Sequence, residues 1–569
     1  MKIRINSHPR GFAISVDEPQ FLNVLMRQFE HAEGAEDILF LKGRMIVPMR
    51  LVAKAFELFT DKDVFWDDKI YGEARQKLQH RQMQLDARLE IAQALEDPQS
   101  SLCDFEHLSK LDPHQVTAVA AITVPSLRGL ALFDEQGTGK TIIALASFGR
   151  LKDIGKIQRL LVIAPKSVLG VWKSDCKTLF GDKYIIETAS GVSSNRRRSI
   201  QSQHDILLVS YEIAVREAGL IKMVTGAEPT AYMLVIDESY FVKNSQAIRS
   251  KAIAAIRPLC ERAIALCGSP APNSPLDVIN QVDLIDGGVA FAGRTIPKDR
   301  ELAVPEIKKG LEQTIYLRRL KEEVLPQIPA KQFERVLVDL RPVQESMYTR
   351  ARDELVLLVK NTDEREFLRN LGSFFAMRSA LLQICSNPIT VDPSYAEVPA
   401  KLLALDRLLN ELIGTKNKKV IVWSFFRGSL QSIAQRYQEY GSVRIDGSVI
   451  SVEDRIEAID RFQNDDNVRL FIGNAAAAGA GITLTASHHA IYESFSNQAA
   501  HYMQSVDRIH RRGQSSNVTS HILLSKHTIE MSEFDRILRK EKSARNLLGD
   551  SYKEPITRTR FLVDLGVAE

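Results

Sequence analysis

The chain has 569 residues, 44% of them hydrophobic, which is enough for several domains of ordinary size with buried cores. Its 75 basic and 71 acidic residues leave a formal charge of +4, so it is not a uniformly polycationic binder, and any polyanion site must be a local patch. The five cysteines (Cys103, Cys176, Cys260, Cys267, Cys385) are far apart, with no C-x-x-C pair and no His at metal-ligand spacing, which predicts free thiols and no structural zinc.

The opening MKIRINSHPRGF carries charge where a signal peptide needs an apolar core, and no run approaches ~18 consecutive apolar residues. The expectation is an intracellular protein that has no membrane partner. There is no internal repeat of ~20 to 50 residues and no low-complexity tract. Residues 1–105 read as a separate piece, with strand-like segments followed by the polar helix GEARQKLQHRQMQLDARLEIAQAL.

From about residue 128, short apolar runs alternate with longer helical stretches: Leu130 to Phe133, Leu160 to Ile163, Ile206 to Val209, Met233 to Ile236 and Ala263 to Leu266. That alternation predicts an α/β fold, a parallel sheet wrapped by helices. Residues 341–413 carry almost no strand signal and read as long amphipathic helices, an insertion near the front of a second block. The strand pattern then resumes with Val420 to Trp423, Arg469 to Ile472, Ala490 to Tyr492 and Val518 to Leu524, so the chain predicts two α/β blocks. The tail from Gly549 to Glu569 reads as a short closing element.

Open parallel sheets bind ligands at the carboxyl ends of their strands, so the residues that follow the apolar runs carry the chemistry. After Leu130 to Phe133 comes Asp134-Glu-Gln-Gly137-Thr138-Gly139-Lys140-Thr141 and then a helical stretch. Glycines let backbone amides approach phosphate oxygens at a helix amino terminus, Lys140 neutralises outer phosphates, and the Thr141 hydroxyl suits magnesium. The full phosphate-loop pattern has Gly where this chain has Asp134, and a Gly-rich turn before a helix is the ordinary alternative.

After Met233 to Ile236 come Asp237 and Glu238. An Asp here can hold a magnesium shell and its neighbour can orient and deprotonate water, although paired acids at a strand end also serve as helix caps. In the second block Arg508 and Arg511 are three apart, so on one helix they share a face and can aim two guanidinium groups at one phosphate. Alone they would read as a solvated basic face. Arg196, Arg197 and Arg198, in a predicted loop, offer a further phosphate contact or simply solvated charge.

In this order the motifs resemble the Swi/Snf-like ATPases of helicase superfamily two, over nearly all of residues 111–545. LDPHQ (Leu111 to Gln115) is similar to the adenine-reading glutamine motif, and FDEQGTGKT to that family's phosphate loop, which also lacks the first Gly. VIAPKSVLGVW, VSYE, DESY with Lys243-Asn244, CGSPAPN, YLRRLKEEVLPQIPAK, LLQICSNP, VWSFFRG, AAGAGITLTA and DRIHRRGQ follow in family order. Two departures stand out: Tyr240 replaces the usual His of the acidic box, and Phe495 lies near the place of a usual Trp.

The resemblance implies two RecA-like parallel-sheet lobes with a helical insertion and a separate N-terminal domain. Its boundaries would be an accessory domain at 1–105, an ATP-binding lobe at 106–325, linker and insertion at 326–400, the second lobe at 401–545 and a tail at 546–569. It implies ATP and Mg2+ as cofactors. Gln115, Gly137, Thr138, Gly139, Lys140, Thr141 and Gly481 would bind ATP, and Thr141 and Asp237 would hold the metal. Lys140, Asp237, Glu238, Gln504, Arg508 and Arg511 would be catalytic.

Gly268, Ser269 and Asn273 would couple the ATP and nucleic-acid sites. Lys166, Ser167, Ser210 and Tyr211 on the first lobe, with Ser424, Phe425, Arg427 and Thr483 on the second, would track one strand's phosphates. The implied activity is a nucleic-acid-stimulated ATPase that translocates on double-stranded DNA, in a compact monomeric prokaryotic or viral member, cytoplasmic and nucleoid-associated, or nuclear if eukaryotic. The alternatives are a strand-separating or fork-remodelling and annealing helicase, and an ATP-gated DNA clamp with little turnover.

Overall fold

The computed structural model describes residues 2–29, 38–41, 43–48, 51–59, 63–228, 231–271, 274–291, 294, 296–297, 300–325, 327, 329–446, 452–475, 482–496, 499–511, 513–546 and 565. The chain divides into two compact units, one of Met1–Glu135 and Gly139–Arg319, the other of Leu320–Glu569 together with Gln136–Thr138.

The first unit opens with a five-stranded mixed sheet: β1 (Ile3–His8), β2 (Gly11–Val16), β3 (Leu39–Leu41), β4 (Arg44–Val47) and β5 (Val64–Trp66), in the order β3-β4-β2-β1-β5. Its apolar face closes over its own core of Ile5, Phe12, Ile14, Phe29, Met45 and Val47, so these residues form a distinct sheet domain, as the strand-like segments predicted. The polar helix that follows spans Asp68–Glu96, and Asp67 caps it by accepting from the amides of Lys69 and Ile70. Glu90 on this helix accepts from the Ser126 amide at 2.8 Å and the Ser126 hydroxyl at 2.7 Å, and Arg88 donates to the Thr314 carbonyl at 3.1 Å. These bonds fasten the helix to the α/β part of the unit.

That α/β part is a seven-stranded sheet made of β6 (Gly129–Leu132), β7 (Arg159–Ala164), β8 (Ile186–Thr188), β9 (Ile206–Ser210), β10 (Tyr232–Asp237), β11 (Arg262–Leu266) and β12 (Tyr316–Leu317). The order is β12-β6-β11-β10-β7-β9-β8, and every pairing is parallel. Helices cover both faces, which is why strands such as LLVIA are continuous apolar runs rather than alternating ones. Sequence reasoning missed β8 and β12, whose two or three residues are too short for a periodic signal.

The second unit holds a six-stranded parallel sheet: β13 (Lys331–Val338), β14 (Val420–Trp423), β15 (Ser442–Ile445), β16 (Leu470–Gly473), β17 (His489–Tyr492) and β18 (Val518–Ser525), ordered β13-β18-β17-β14-β16-β15. Along β14, Ile421 and Trp423 enter one core with Phe462, Phe471 and Tyr502, while Val420 and Val422 enter another with Leu405, Leu430 and Leu523. The helices expected between the blocks are Pro342–Lys360, Glu364–Ser386 and Ala400–Leu409. They interrupt the sheet after β13, an edge strand within the tract expected as linker and insertion. Its outer residues are mostly solvated and polar, so it lacks the apolar run that marked its neighbours.

The tail at 549–569 lies outside the described residues apart from Leu565. Among the described residues no helix is long and apolar enough to cross a membrane.

Gly129 opens β6, the strand that delivers the glycine loop, and a Cβ there would overlap the Ile285 carbonyl. Gly129→Ala is therefore expected to destabilise the first unit by about 1–3 kcal/mol, seen as a lower midpoint in chemical denaturation.

Candidate functional site

In the first sheet β6, β11, β10, β7 and β9 are consecutive neighbours, so the residues after their carboxyl ends line one edge. After β6, the loop turns through Gly137 and Gly139, both at positive φ (86° and 82°), and the helix Lys140–Asp153 begins at Lys140. A side chain at Gly139 would be strained there and would also overlap the Gln115 amide nitrogen. Gln115 is buried on the helix Pro113–Ile122, where its Oε1 accepts from the Asp112 amide at 2.9 Å. The predicted adenine-reading glutamine and the glycine loop are thus packed together.

Lys140 Nζ donates to the carbonyls of Asp134 (2.9 Å) and Glu135 (3.1 Å). Burial pushes its pKa down, while Glu238, Asp134, Cys267 and Asp237 pull it back up. Thr141 follows on the first turn of the helix and is half-buried. Asp237 ends β10 with both oxygens engaged: Oδ2 accepts from Trp172 Nε1 and Oδ1 from the Glu238 amide, each at 2.8 Å. Burial raises its pKa, against the Trp172 bond, the charge of Lys140 and the Glu238 amide.

Glu238 itself sits at φ 50°, ψ 54°, a left-handed conformation that costs a non-glycine residue about 1–3 kcal/mol and that recurs at functional sites. Gly268 and Ser269 follow β11, while Asn273 lies outside the described residues. Tyr240, in the place of the usual His, packs on Phe241 with ring centroids 4.7 Å apart.

The residues expected to meet nucleic acid separate by exposure. Lys166 and Ser167 are exposed on a short turn after β7. Ser210 and Tyr211 correct the expectation of direct contact: both are buried, because the Ser210 hydroxyl caps a helix through the Ile213 amide and the Tyr211 hydroxyl donates to the Asp237 carbonyl at 2.7 Å. Arg196 and Arg197 also differ from expectation. They lie on the helix Ser193–Gln201 rather than in a loop, and both pair with the buried carboxylate of Glu217.

In the second unit, the loop after β14 exposes Phe425 and Arg427 but buries Ser424, whose hydroxyl donates to Glu493 Oε2 at 2.7 Å. Ser424 is therefore a support of that loop and not a direct contact. Glu493, after β17, also accepts from Ser386 and Ser494. Lys401 completes the buried set by donating to the Glu493 carbonyl and to Glu530.

Gln504 and Arg508 are buried on the helix Ala499–Ile509. Arg511 lies past the end of that helix, so the two arginines do not share a helical face as their spacing suggested. Instead Arg511 is held by Thr483, whose hydroxyl accepts from Nη1 at 2.8 Å. Thr483 is thus a support for Arg511, and Gly481 lies outside the described residues.

Sequence reasoning gave no role to Trp172, Arg319, Lys321, Asp507 or Glu493. The signal for Arg319 was the acid at position 134: a carboxylate in the place of a loop glycine needs a partner.

Comparison with known proteins places this geometry. The family described as "SNF2-related domain" matches residues 73–390, and "Helicase conserved C-terminal domain" matches residues 400–513. The chain belongs to the SNF2-related family. Among its relatives is a "SWI/SNF-related matrix-associated actin-dependent regulator of chromatin subfamily A-like protein 1 homolog" of Caenorhabditis elegans, 26% identical over 76% of this chain and 61% of that protein. Another is "DNA annealing helicase and endonuclease ZRANB3" of Mus musculus, 27% identical over 72% of this chain and 38% of the relative.

This SNF2-related chain thus spans less than two thirds of the length of these curated relatives. A solved structure titled "Sulfolobus solfataricus SWI2/SNF2 ATPase core in complex with dsDNA" is 22% identical, covering 77% of this chain and 96% of that one, with a TM-score of 0.36.

Two outcomes follow from this geometry. Gly139→Ala is expected to abolish ATP binding in a fluorescent-nucleotide titration while leaving the circular dichroism spectrum unchanged. In the metal-free chain burial raises the Asp237 pKa, so its titration, followed by NMR of the carboxyl carbon, is expected above the ordinary carboxylate range. Trp172→Phe removes a bond that favours the charged form, so that titration moves to still higher pH.

Proposed function

We propose that this SNF2-related chain is an ATP-hydrolysing motor that translocates along double-stranded DNA and remodels what is bound to it. The observation that carries the reading is the convergence of a glycine loop, a half-buried ammonium and a half-buried carboxylate on one edge of a parallel sheet. ATP with Mg2+ fits this donor set. A Cβ would fill the cradle at Gly139, and one carboxylate with one hydroxyl is what a protein commonly offers a magnesium ion whose other ligands are phosphates and water.

Lys140 exchanges the Asp134 and Glu135 carbonyls for phosphate oxygens, and the amides of Gly137, Thr138 and Gly139 donate to the same phosphates. Thr141 and Asp237 hold the ion, which when bound supplies positive charge against the phosphates. Gln115 reads the base, and Glu238 orients water and takes its proton. Arg508 and Arg511 bring positive charge to the phosphates, a contribution worth up to ~10³ to 10⁵ in rate, with Gln504 and Gly481 as neutral contacts beside them. Gly268, Ser269 and Asn273 couple that chemistry to DNA.

Lys166 and Ser167 in one unit, and Phe425 and Arg427 in the other, are DNA contacts, because they are exposed after strand ends, with Ser210, Tyr211, Ser424 and Thr483 as supports. Within this reading residues 106–325 and 401–545 are the two motor lobes, 326–400 the linker and insertion, and 1–105 an accessory domain. The relatives, a regulator of chromatin and a DNA annealing helicase and endonuclease, support DNA as the track.

Steady-state ATP hydrolysis with blunt duplex, forked DNA, single-stranded DNA or RNA tests the reading. Blunt duplex is expected to stimulate turnover, and Glu238→Gln to lower it by about 10² to 10⁴. Stimulation by forks alone would favour the annealing-helicase alternative, and no turnover with any substrate would sink the motor. Arg427→Ala is expected to weaken duplex binding for all sequences alike and to reduce the slope of log K against log salt by about 0.9.

A further inference from the structure

The chain passes from one unit to the other between Arg319 and Leu320, and around that step the side chains of Arg318, Arg319 and Lys321 are all anchored. On the first side β12 pairs with β6, and the pairing continues beyond both strands: the amides of Ala131, Phe133 and Glu135 donate in turn to the carbonyls of Ile315 (3.0 Å), Leu317 (2.8 Å) and Arg319 (3.0 Å). The linker is therefore zipped onto the base of the glycine loop.

Its arginines tighten the join. Arg318 donates to the Phe133 carbonyl and, at 3.0 Å, to that of Gly268, spanning the loop and the segment after β11. Arg319 meets both oxygens of Asp134 with its Nε (3.1 Å each), adds an Nη2 contact, and donates through Nη1 to the carbonyl of His114, beside Gln115. Asp134 is fully buried, so its charge requires this partner.

Two residues later the chain makes an equivalent pair in the second unit. Lys321, 3% exposed, bonds to Asp507 and donates to the His510 carbonyl at 3.0 Å. Asp507 and His510 flank Arg508, and Arg511 is the next residue after His510. One short tract thus touches the nucleotide loop at one end and the arginine turn at the other.

We infer that residues 318–321 are a positioning strap for the motor proposed above, on which this inference rests. Arg319 sets the nucleotide loop through Asp134, and Lys321 sets the arginine turn through Asp507. A shift of the loop is passed to the arginines through one extended step of backbone, whose stiffness comes from the ladder and from the two buried pairs. Lys321 also lies beside Gly137 of the glycine loop, and the strap acts through the groups it holds.

The full chain tests this. Lys321→Gln is expected to keep the KM for ATP and the DNA-free rate within about twofold. It should lower duplex-stimulated kcat, and third-strand displacement from a triplex per ATP consumed, by about 2- to 30-fold, the range of coupling changes reached by such mutations. Lys321→Arg should restore most of both. Arg319→Lys, which keeps the charge but not the bidentate grip, should raise the KM for ATP.

If Lys321→Gln does not fold, the exchanged pair Lys321→Asp with Asp507→Lys decides, coupling being expected to recover beyond Asp507→Lys alone. Folded Lys321→Gln with unchanged stimulation and displacement, or an exchanged pair no better than its single variant, overturns the strap. Absence of stimulation and displacement in the wild-type chain instead overturns the motor, which keeps the two failures apart.

Discussion

A carboxylate removed from water inside a protein stays ionised only where positive charge and hydrogen-bond donors meet it, and the first unit is organised around one such carboxylate. Asp134 occupies the place of a glycine at the entrance to the nucleotide loop and is wholly buried. Arg319 satisfies it, and to do so the linker must lie alongside β6. That placement extends the sheet by β12, ties down the loop's backbone as far as Glu135, and brings the Arg319 guanidinium to His114 on the glutamine helix. Breaking a buried pair by removing one partner costs about 3–5 kcal/mol, which exceeds the worth of any single loop hydrogen bond and sets the hierarchy here.

The same rule recurs wherever the parallel strands end. Asp237 is held by Trp172 and its own neighbour's amide, and faces the charge of Lys140. In the second unit Glu493 gathers three serine hydroxyls, and Lys401 links its carbonyl to Glu530. Arg378 and Glu533 pair in the same region, joining the helical insertion to the final helix. Each set fixes a loop that follows a strand, and the exposed residues on those loops, Lys166 in one unit and Phe425 and Arg427 in the other, inherit their positions from buried polar contacts beneath them. Low dielectric makes those contacts stiff and makes an incomplete set costly.

Burial also revises what a motif residue does. Ser210, Tyr211 and Ser424 looked like donors to a phosphate backbone because they follow strands, yet their hydroxyls are spent on a helix cap, a main-chain carbonyl and a carboxylate. The three arginines at 196–198 looked like a basic loop, but Glu217 neutralises two of them. A motif places a residue near the track; only its partners decide whether its polar atoms remain available to a ligand.

The sequence by itself determined the α/β class, nine strands of the two parallel sheets, the helical tract between the two blocks and the residues at the strand ends, because all of these are local. Apolar runs of three or more residues bounded by polar turns are written in the chain, and the strand-end rule converts them into a site. It also carried the family, through motifs in a fixed order. Tertiary structure alone decided the strands β8, β12, β13 and β15, which are too short or too solvated and polar to carry a pattern. It alone decided that the helix ends before Arg511, and which charges pair: Asp134 with Arg319, Lys321 with Asp507, Glu217 with Arg196 and Arg197. The partners in the first two pairs are 185 and 186 residues apart, so no local pattern announces them; the cost of burying an unpaired charge does, once the fold has brought them together.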